Sequence, residues 1–346
     1  MKSMQGAVLY EIDKPLVLEE LKIPDLAHGQ VLVRIKCSGV CHSQLKEITG
    51  ARGEDRYLPH LLGHEGAGIV EEVGPGVTRV VPGDHVVLGW MKGQGIDSST
   101  PTYHIGEKPI NAGYITTFNE FGVVSENRVT RMRDEMPFDV ASLLGCAVTT
   151  GLGAVDRIAE VRAGESVAVF GVGGVGLNVV QGAAIAGASQ IIAIDLKDEK
   201  LELAGRLGAT HHINASRENP LEKVMEVTDG VGVNHAFEVT GETSVMSQAF
   251  EATSMMGKAV LMGVPKAGNQ LSLDPVPLCF GKTITGCHGG NTVKDEDIPR
   301  FVDLYLDGRL KLDELITDRI KLSEINEAFD RMREGKILGK AIVEFD

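Results

Sequence analysis

Three short segments of the sequence carry side chains that are typical ligands of transition metals. Cys41 lies in the first segment, His64 and Glu65 lie in the second, and Cys146 lies in the third. Two thiolates and one imidazole suit Zn²⁺, which has three protein ligands and one open position when it is catalytic. Because a lone cysteine is more often a small core residue than a ligand, the spacing alone makes this zinc site a hypothesis. The chemistry it would supply is Lewis-acid activation of a bound oxygen atom.

A glycine-rich hexapeptide matches the dinucleotide-binding pattern Gly-x-Gly-x-x-Gly. It directly follows the apolar run Ser166–Phe170 and opens a helix-like segment, which is the context that the motif requires. The first glycine permits a tight turn, the second lets the backbone approach a pyrophosphate, and the third lets helix and strand pack closely. The helix N-terminus adds free N–H groups and a partial positive charge. We therefore predict that a dinucleotide binds at Gly171, Gly173, Gly174, Val175 and Gly176.

An acidic residue follows the glycine motif at the spacing that ribose recognition needs. Asp195 directly follows the apolar run 191–194 and lies about 20 residues after the motif. A carboxylate accepts hydrogen bonds from the ribose hydroxyls of NAD and would repel the 2′-phosphate of NADP. We therefore predict NAD as the cofactor. Lys197 and Lys200 are nearby cations that leave NADP as the alternative, and Lys200 is counted among the predicted cofactor-binding residues.

Charge and composition argue against several classes of function. The chain has 34 basic and 48 acidic residues, a formal net charge of −14 and five cysteines. A negative field repels nucleic-acid phosphates and anionic membranes, so we expect neither as a partner. The uncharged stretch 166–194 has the length of a membrane helix, but its six glycines favour a strand, a turn, a helix and a second strand. The first fifteen residues lack a long apolar run, and we expect a reducing, cytoplasmic location.

The elements that must position these residues follow two patterns. The first half contains short β-prone runs separated by glycine and proline turns, which are typical of a compact barrel-like β domain. From Thr149 onward, apolar strands alternate with helices, which predicts a parallel, doubly wound sheet. Two helical stretches and a final strand, 340–345, are expected to return to the first domain. The predicted domains are therefore 1–148, 149–288 and 289–346.

Two segments are expected to lack regular structure. Residues 91–118 are rich in Gly, Ser, Thr and Pro, and they predict a long irregular lobe. His211 and His212 follow the end of a predicted helix, and we expect them in a solvent-facing turn.

In order and neighbourhood, these motifs resemble those of the medium-chain, zinc-dependent alcohol dehydrogenase family over nearly the full chain. The resemblance implies an α/β fold that combines a GroES-like β domain with a Rossmann domain, a doubly wound parallel sheet. It also implies an active site in the cleft between the two domains. The segments that carry the resemblance are 39–43, 63–68, 83–86, 145–146, 149–151, the glycine motif and 263–265.

The resemblance assigns roles to the candidate metal ligands. It implies that Cys41, His64 and Cys146 hold one catalytic zinc. Glu65 resembles a family glutamate near the metal, and we count it with the metal site without permanent coordination. Ser43 resembles the hydroxyl that takes the alcohol proton. The implied reaction is reversible hydride transfer between a zinc-bound alcohol or alcoholate and NAD, the activity of an alcohol dehydrogenase or carbonyl reductase.

The resemblance also assigns cofactor and substrate contacts outside the glycine motif. His42 and Lys340 match positions that contact the cofactor pyrophosphate. Trp90 resembles an aromatic wall of the alcohol pocket, and a core role is the alternative. Further matching positions around the cofactor are Thr150, Val175, Val239, Thr240, Gly263 and Val264.

The chain departs from the family pattern at several places. Many members of the family bind a structural zinc in this region with four cysteines, but residues 91–118 of this chain contain no cysteine. We therefore predict a single zinc per chain. Lys46 occupies the place of a histidine that ends the proton relay. Because lysines usually titrate far above neutral pH, either the relay ends in solvent or a desolvated Lys46 completes it. Gln44 stands where the family often has a carboxylate, and Cys37 is expected to be a core thiol rather than a ligand.

Two alternatives to the dehydrogenase are considered. One is a zinc-free quinone or enoyl reductase of the same superfamily, and the other is a non-catalytic NAD-binding protein. The complete ligand set, Ser43 and Asp195 favour the dehydrogenase. The expected partner is a small-molecule alcohol, aldehyde or ketone of unassigned identity, and we expect a homo-oligomer, either a dimer or a tetramer.

Overall fold

In the computed structural model, which describes residues 2–346, the chain divides into two compact units. Unit 1 consists of the chain up to Cys146 together with Val293–Asp346, and unit 2 is Ala147–Thr292. The observed divisions lie two residues before the first predicted boundary and four residues after the second.

Eighteen strands occur among residues 2–346. They are β1 (Ser3–Leu9), β2 (Val17–Lys22), β3 (Gln30–Val40), β4 (His60–Leu61), β5 (Glu65–Val73), β6 (His85–Gly89), β7 (Thr102–Ile105), β8 (Lys108–Asn111), β9 (Phe121–Ser125), β10 (Val129–Arg131), β11 (Ser166–Phe170), β12 (Gln190–Asp195), β13 (His211–Asn214), β14 (Val233–Glu238), β15 (Thr253–Leu261), β16 (Thr283–Gly286), β17 (Ile316–Ile320) and β18 (Lys340–Glu344).

The same part of the chain contains ten α-helices, and a π-helical segment, Ala154–Ala159, continues the third of them. The helices are α1 (His42–Ile48), α2 (Phe138–Ser142), α3 (Ala147–Gly153), α4 (Gly174–Ala186), α5 (Asp198–Arg206), α6 (Pro220–Val227), α7 (Thr243–Glu251), α8 (Val276–Cys279), α9 (Lys294–Leu306) and α10 (Ile325–Arg333).

Unit 1 contains a closed barrel and a second, larger sheet. The barrel follows the order β1-β2-β7-β8-β4, and the sheet follows the order β10-β6-β5-β3-β18-β17, with β9 also pairing with β3. β3 is mostly buried, and β5, β9 and β18 pair with it in antiparallel fashion. The last strand places Ala341 opposite Val40, so the end of the chain lies beside the segment that carries Cys41.

Unit 2 is a doubly wound sheet. Its six strands follow the order β13-β12-β11-β14-β15-β16, and every neighbouring pair is parallel. This is the order 3-2-1-4-5-6 of dinucleotide-binding folds. The apolar run of β11 is almost fully buried, as a central strand covered on both faces requires. The predicted α/β fold class, a β domain with a Rossmann sheet, is confirmed.

Two local predictions are wrong. Residues 91–118 are not uniformly irregular, because β7 and β8 form an antiparallel hairpin in which Tyr103 is completely buried. His211 and His212 do not lie in a turn, since they begin β13 and pair with Ile192 and Ala193. In both cases tertiary pairing outweighs a local composition that is poor in strand-forming residues.

A buried carboxylate holds the cysteine-free lobe in place. The side chain of Glu126 accepts hydrogen bonds from the backbone N–H groups of Thr78 at 2.7 Å, Arg79 at 2.8 Å and Ile96 at 2.8 Å. Burial works to raise the pKa of Glu126, but these donors hold it below its usual value. The side chain of Glu126 therefore joins the segment 78–79 to Ile96. In other proteins a structural metal ion can join chain segments in this way.

A buried lysine lies beneath the same lobe. Lys294 begins α9 and is 2% exposed. Its Nζ lies 3.2 Å from the carbonyl oxygen of Val129. Burial lowers the pKa of Lys294 to about 7; Asp295 opposes this shift, and the cations of Arg128 and Arg79 add to it.

We expect Lys294→Met to stabilise the protein at neutral pH by about 1–2 kcal/mol, because it removes a poorly compensated buried ammonium. An unfolded lysine keeps a pKa near 10.5, so the unfolded chain binds more protons than the folded chain between about pH 7 and pH 10. The stability of the wild type should therefore rise with pH in this window, and the variant should lack that part of the rise. Thermal unfolding from about pH 7 to pH 9 measures how the stability of the wild type and of the variant changes with pH. The exposed Lys14→Met is the control, and equal slopes in wild type and Lys294→Met would contradict the expectation.

No single helix among residues 2–346 is long and apolar enough to cross a membrane. One bent pair, Phe138–Gly145 with Ala147–Ala159, meets the criterion jointly by length and composition alone.

Candidate metal centre and cofactor site

Adjacent strands of unit 1 bring the first two candidate ligands to the same place. Cys41 follows β3 and is the N-cap residue of α1, and His64 directly precedes β5. Because β3 and β5 are antiparallel and Ser38 lies opposite Gly66, the end of one strand meets the start of the other. The proximity of Cys41 and His64 is thus a consequence of sheet register.

The third ligand arrives on a tight turn that packs against the same sheet. Cys146 follows the 3₁₀ turn Leu143–Gly145. A Cβ atom at Gly145 would come within 2.4 Å of the carbonyl oxygen of Leu88 and 3.0 Å of the Cα of Glu65. Only glycine allows this approach, which is what carries the thiol of Cys146 to the sheet.

The three predicted ligands and Glu65 form one cluster. One potential ligand atom from each of Cys41, His64, Glu65 and Cys146 lies within 4.8 Å of the others. The sulfur, nitrogen and oxygen donors of this group are the ones that Zn²⁺ prefers. The structure therefore brings together all four residues that the sequence predicts for the metal site.

A buried ion pair neutralises the fourth member of the cluster. Glu65 is completely buried, and its Oε1 accepts a hydrogen bond from Nζ of Lys340 at 2.7 Å. Its Oε2 is buried without a hydrogen-bond partner among residues 2–346, and a Cβ at Gly39 would come within 2.5 Å of it. An unpartnered buried oxygen beside two thiols and an imidazole is consistent with a nearby cation.

The charge of the cluster matches a divalent ion. Lys340 balances the carboxylate of Glu65, so two thiolates leave a charge of about −2 for Zn²⁺ to balance. A hydrogen bond from the thiol of Cys146 holds the pKa of Cys41 well below the usual thiol value, and the same bond raises the pKa of Cys146. One thiolate is therefore favoured before a metal binds, and a metal would displace the remaining proton.

The hydroxyl of Ser43 lies against two of the candidate ligands. Its Oγ is 3.3 Å from Sγ of Cys41 and 3.4 Å from Nε2 of His64. Lys46 is partly exposed and lies one turn further along α1, on the same face as Ser43. The structure thus places the two predicted proton-relay residues on one helix, with the hydroxyl at the cluster.

Gln44 has a local role that was not predicted from the sequence. Its Oε1 accepts a hydrogen bond from the backbone N–H of Cys41 at 3.1 Å, which completes a reciprocal cap at the start of α1. The signal was available, because a glutamine at the third helical position is the usual partner in a capping box. Gln44 therefore fixes the backbone of a ligand.

Two other residues singled out from the sequence lie in or against the core. Cys37 lies within β3 and is 6% exposed, and burial raises the pKa of its thiol to about 12. Its predicted role as a core thiol is confirmed. Trp90 is partly buried and packs against the cluster around Val33 and Leu88, so core packing accounts for at least part of its surface.

In unit 2, the glycine motif forms the turn that the sequence predicts. Gly171 has φ of 92°, a conformation that favours glycine. A Cβ at Gly176 would come within 2.0 Å of the carbonyl oxygen of Gly171, whereas a Cβ at Gly173 would meet nothing within 4 Å. The first glycine therefore makes the turn, the last packs helix against strand, and the middle one leaves open space above the N-terminus of α4.

The carboxylate of Asp195 is already fixed at the end of β12. Its Oδ2 accepts a hydrogen bond from the N–H of Val172 at 3.0 Å, and its Oδ1 accepts one from the N–H of Leu196 at 2.8 Å. The acid therefore contacts the glycine turn directly, the position from which a ribose could be recognised.

The remaining predicted cofactor residues of unit 2 differ in their contacts and exposure. Thr240 is exposed and contacts Glu238, which is completely buried and accepts from the N–H groups of Thr240 and Gly241. A Cβ at Gly263 would come within 2.0 Å of the N atom of Gly241. Val264 is 55% exposed. The partly exposed members are Thr150, Val175, Val239 and Lys200.

The predicted pyrophosphate contacts of unit 1 differ in exposure. His42 is exposed at the first position of α1. Lys340 is 5% exposed, and its ammonium group is paired with the carboxylate of Glu65. The ion pair joins residues 275 positions apart, and sequence reasoning missed it. Contact of either residue with a pyrophosphate stays a prediction.

Comparisons with known families cover both units. The model of the alcohol dehydrogenase GroES-like domain matches residues 27–134, and the model described as zinc-binding dehydrogenase matches residues 174–307. The S-(hydroxymethyl)glutathione dehydrogenase of Paracoccus denitrificans is 36% identical over 372 residues, which cover 98% of this chain and 99% of that protein. The alcohol dehydrogenase class-3 of Cereibacter sphaeroides is 36% identical over 374 residues, with 98% and 99% coverage.

Solved structures give the same result. An alcohol dehydrogenase zinc-binding domain protein from Burkholderia ambifaria has a TM-score of 0.93 and 33% identity, covering 100% of this chain and 99% of that chain. The benzyl alcohol dehydrogenase of Acinetobacter calcoaceticus has a TM-score of 0.92 and 32% identity, with 100% coverage of both chains. Full-length identity above 30%, together with the two domain matches, shows that the chain belongs to the medium-chain, zinc-dependent alcohol dehydrogenase family.

Proposed function

We propose that this alcohol dehydrogenase oxidises its alcohol reversibly with NAD at a single zinc held by Cys41, His64 and Cys146. The observation that carries the proposal is the convergence of these three donors with Glu65 within 4.8 Å. A zinc ion bound there would act as a Lewis acid on the oxygen of the substrate.

The residues of this chain would supply the remaining functions. Ser43 is placed to accept the hydroxyl proton of an alcohol, because its Oγ lies beside Cys41 and His64. Lys46, further along α1, is the proposed next group of the relay, with solvent as the alternative. Glu65, paired with Lys340, lies beside the ligands as a neutral pair and leaves their charge unchanged.

We propose one zinc per chain because the lobe 91–118 has no cysteine and is tied down by Glu126 instead. We also propose a homo-oligomer in which unit 2 contributes its edge strand β16. Exposed apolar side chains lie at this end of unit 2, including Met256 at 77% and Phe280 at 66%. Light scattering of the purified protein tests this: a dimer or tetramer is expected, and a strict monomer would contradict it.

A substrate panel with NAD⁺ tests the proposed reaction. The zinc-loaded protein is incubated with NAD⁺ and one alcohol at a time, and NADH absorbance is followed. The panel contains primary, secondary, aromatic and polyhydric alcohols, among them benzyl alcohol, and S-(hydroxymethyl)glutathione. Oxidation of at least one alcohol that stops on zinc removal and returns on zinc addition is expected. In a parallel assay that supplies NADH or NADPH, oxidation of this cofactor coupled to reduction of a quinone or enoyl compound by zinc-free protein would instead indicate the reductase. NAD binding without turnover in either direction would indicate a non-catalytic protein.

We expect Asp195→Ala to lower kcat/KM for NAD⁺ about tenfold to a hundredfold, because the ribose hydroxyls lose a charged acceptor. The loss with NADP⁺ should be smaller, since removing the carboxylate also removes its repulsion of the 2′-phosphate. The matched control is Asp198→Ala, which removes an exposed acid three positions further on. Steady-state kinetics with both cofactors measure the ratio, and an unchanged preference would remove Asp195 from cofactor selection.

A further inference from the structure

A second group of potential metal ligands lies apart from the cysteine-containing centre. Glu47, Asp55 and His60 each place one ligand atom within 4.8 Å of the other two. Glu47 is near the end of α1, His60 begins β4, and Asp55 belongs to the connection between them. The cluster therefore links the helix that carries Ser43 to the strand that lies just before His64.

The ring of His60 is held in one orientation by the backbone. Its Nδ1 lies 2.9 Å from the carbonyl oxygen of Leu61. A carbonyl oxygen can only accept, so Nδ1 carries the proton. A backbone carbonyl is one of the partners that orient metal-binding imidazoles in proteins. The other nitrogen, Nε2, then faces the cluster.

A carboxylate faces Nε2 of His60. Oδ2 of Asp55 lies 2.8 Å from Nε2 of His60, and the two side chains are only 13% and 7% exposed. The other carboxylate oxygen, Oδ1, accepts from the N–H of Tyr57 at 2.9 Å, which fixes the direction of Oδ2. Two acceptors this close need a cation between or beside them, either a proton on Nε2 or a metal ion.

The second carboxylate distinguishes these possibilities. Glu47 adds another negative charge, and its nearby cation is Arg52, at 3.5 Å with a half-exposed side chain. A proton on His60 balances one carboxylate only, and a partly exposed ion pair at 3.5 Å such as Arg52 with Glu47 contributes little. A divalent cation would balance both carboxylates at once. Donors that share an ion lie about 3–4 Å apart, so small side-chain rotations suffice.

We propose that Glu47, Asp55 and His60 bind a divalent transition-metal cation at a site separate from the catalytic centre. One imidazole and two carboxylates suit Mn²⁺ or Zn²⁺, and the absence of a thiolate makes the ion weaker-bound and exchangeable. The ion would close the connection between α1 and β4 and stiffen the segments that carry Ser43 and His64. The site does not depend on the proposed alcohol oxidation.

Titration of the zinc-loaded, full-length protein with Mn²⁺ tests the site, because zinc already fills the thiolate centre. Electron paramagnetic resonance measures free Mn²⁺. One saturable Mn²⁺ per chain is expected, and Asp55→Asn and His60→Gln should each weaken it at least about tenfold. Glu54→Gln, which removes an exposed carboxylate next to Asp55, is the matched control and should bind Mn²⁺ as the wild type does.

The contrary outcomes are equally clear. If the zinc-loaded protein binds no Mn²⁺ saturably, or if Glu54→Gln weakens binding as much as Asp55→Asn, the three residues form an ion-paired cluster only. Glu47→Gln, at a partly exposed position, serves if the buried variants do not fold. If the zinc-loaded wild type binds Mn²⁺ but oxidises no alcohol, the result counts against the proposed function and not against this metal site.

Discussion

Replacing Cys41 by alanine is expected to abolish alcohol oxidation and to cost the protein its tightly bound zinc. The remaining donors, His64 and Cys146, form an incomplete set, because catalytic zinc needs three protein ligands. Without the ion the alcohol oxygen has no Lewis acid, and we expect kcat/KM to fall at least about a thousandfold, roughly 4 kcal/mol of transition-state stabilisation. Metal analysis and the NADH assay measure the two losses in one preparation.

Two other cysteines make the control specific. Cys279 is exposed, and Cys37 is buried four positions before Cys41. Cys279→Ser should keep zinc, activity and stability, whereas Cys37→Ala should keep zinc and activity but lose about 1 kcal/mol of unfolding free energy. Unchanged turnover in Cys41→Ala would remove the metal from the mechanism. Loss of zinc in Cys37→Ala would mean that the wrong thiol of the pair was assigned.

The parts of the site that could be predicted from the sequence are those set by short-range rules. The glycine motif and Asp195 follow from backbone requirements that act within about 25 residues, and the structure has the predicted turn. The alternation of strands and helices predicted the parallel sheet in the same way. The grouping of Cys41, His64 and Cys146 rested on family resemblance, because no local pattern joins three segments that lie more than a hundred residues apart overall.

The parts that escaped prediction depend on tertiary contact. The pairing of Glu65 with Lys340 requires β18 to lie beside β3. The sequence around either residue contains no pattern that predicts this partner. The hairpin in the lobe forms because the side chain of Tyr103 packs into a hydrophobic core cluster with Val8 and Leu21. The segment around Tyr103 is itself rich in turn residues. His211 and His212 are tolerated in β13 because it is an edge strand, where polar side chains are common.

Replacing Lys340 by methionine is expected to destabilise the protein strongly. The change leaves the carboxylate of Glu65, which is completely buried, without its ammonium partner. Breaking a buried ion pair in this way costs about 3–5 kcal/mol. The exposed pair of Lys336 with Glu334 gives the matched comparison, and Lys336→Met should change the unfolding free energy by less than about 0.5 kcal/mol.

The pH dependence of Lys340→Met should identify the stranded group. Burial already raises the pKa of Glu65, while Lys340 holds it down, so the pKa should rise further in the variant. The folded variant then binds more protons than its unfolded state above about pH 4.5, and its stability should fall as the pH rises through the raised pKa. Denaturant unfolding from about pH 5 to pH 8 should therefore show a growing deficit relative to the wild type. A deficit that does not depend on pH would mean that packing, not charge, is lost.

Removing both charges together separates the two roles considered for Lys340. In Glu65→Gln with Lys340→Met no carboxylate is stranded, so the double variant should recover at least about 2 kcal/mol relative to Lys340→Met. If Lys340 acts only through Glu65, the KM for NAD⁺ should recover with stability. If Lys340 also contacts the cofactor pyrophosphate, as the family resemblance implies, the KM for NAD⁺ should stay raised in the stable double variant. The double variant therefore decides whether one lysine serves the metal centre alone or both the metal centre and the cofactor.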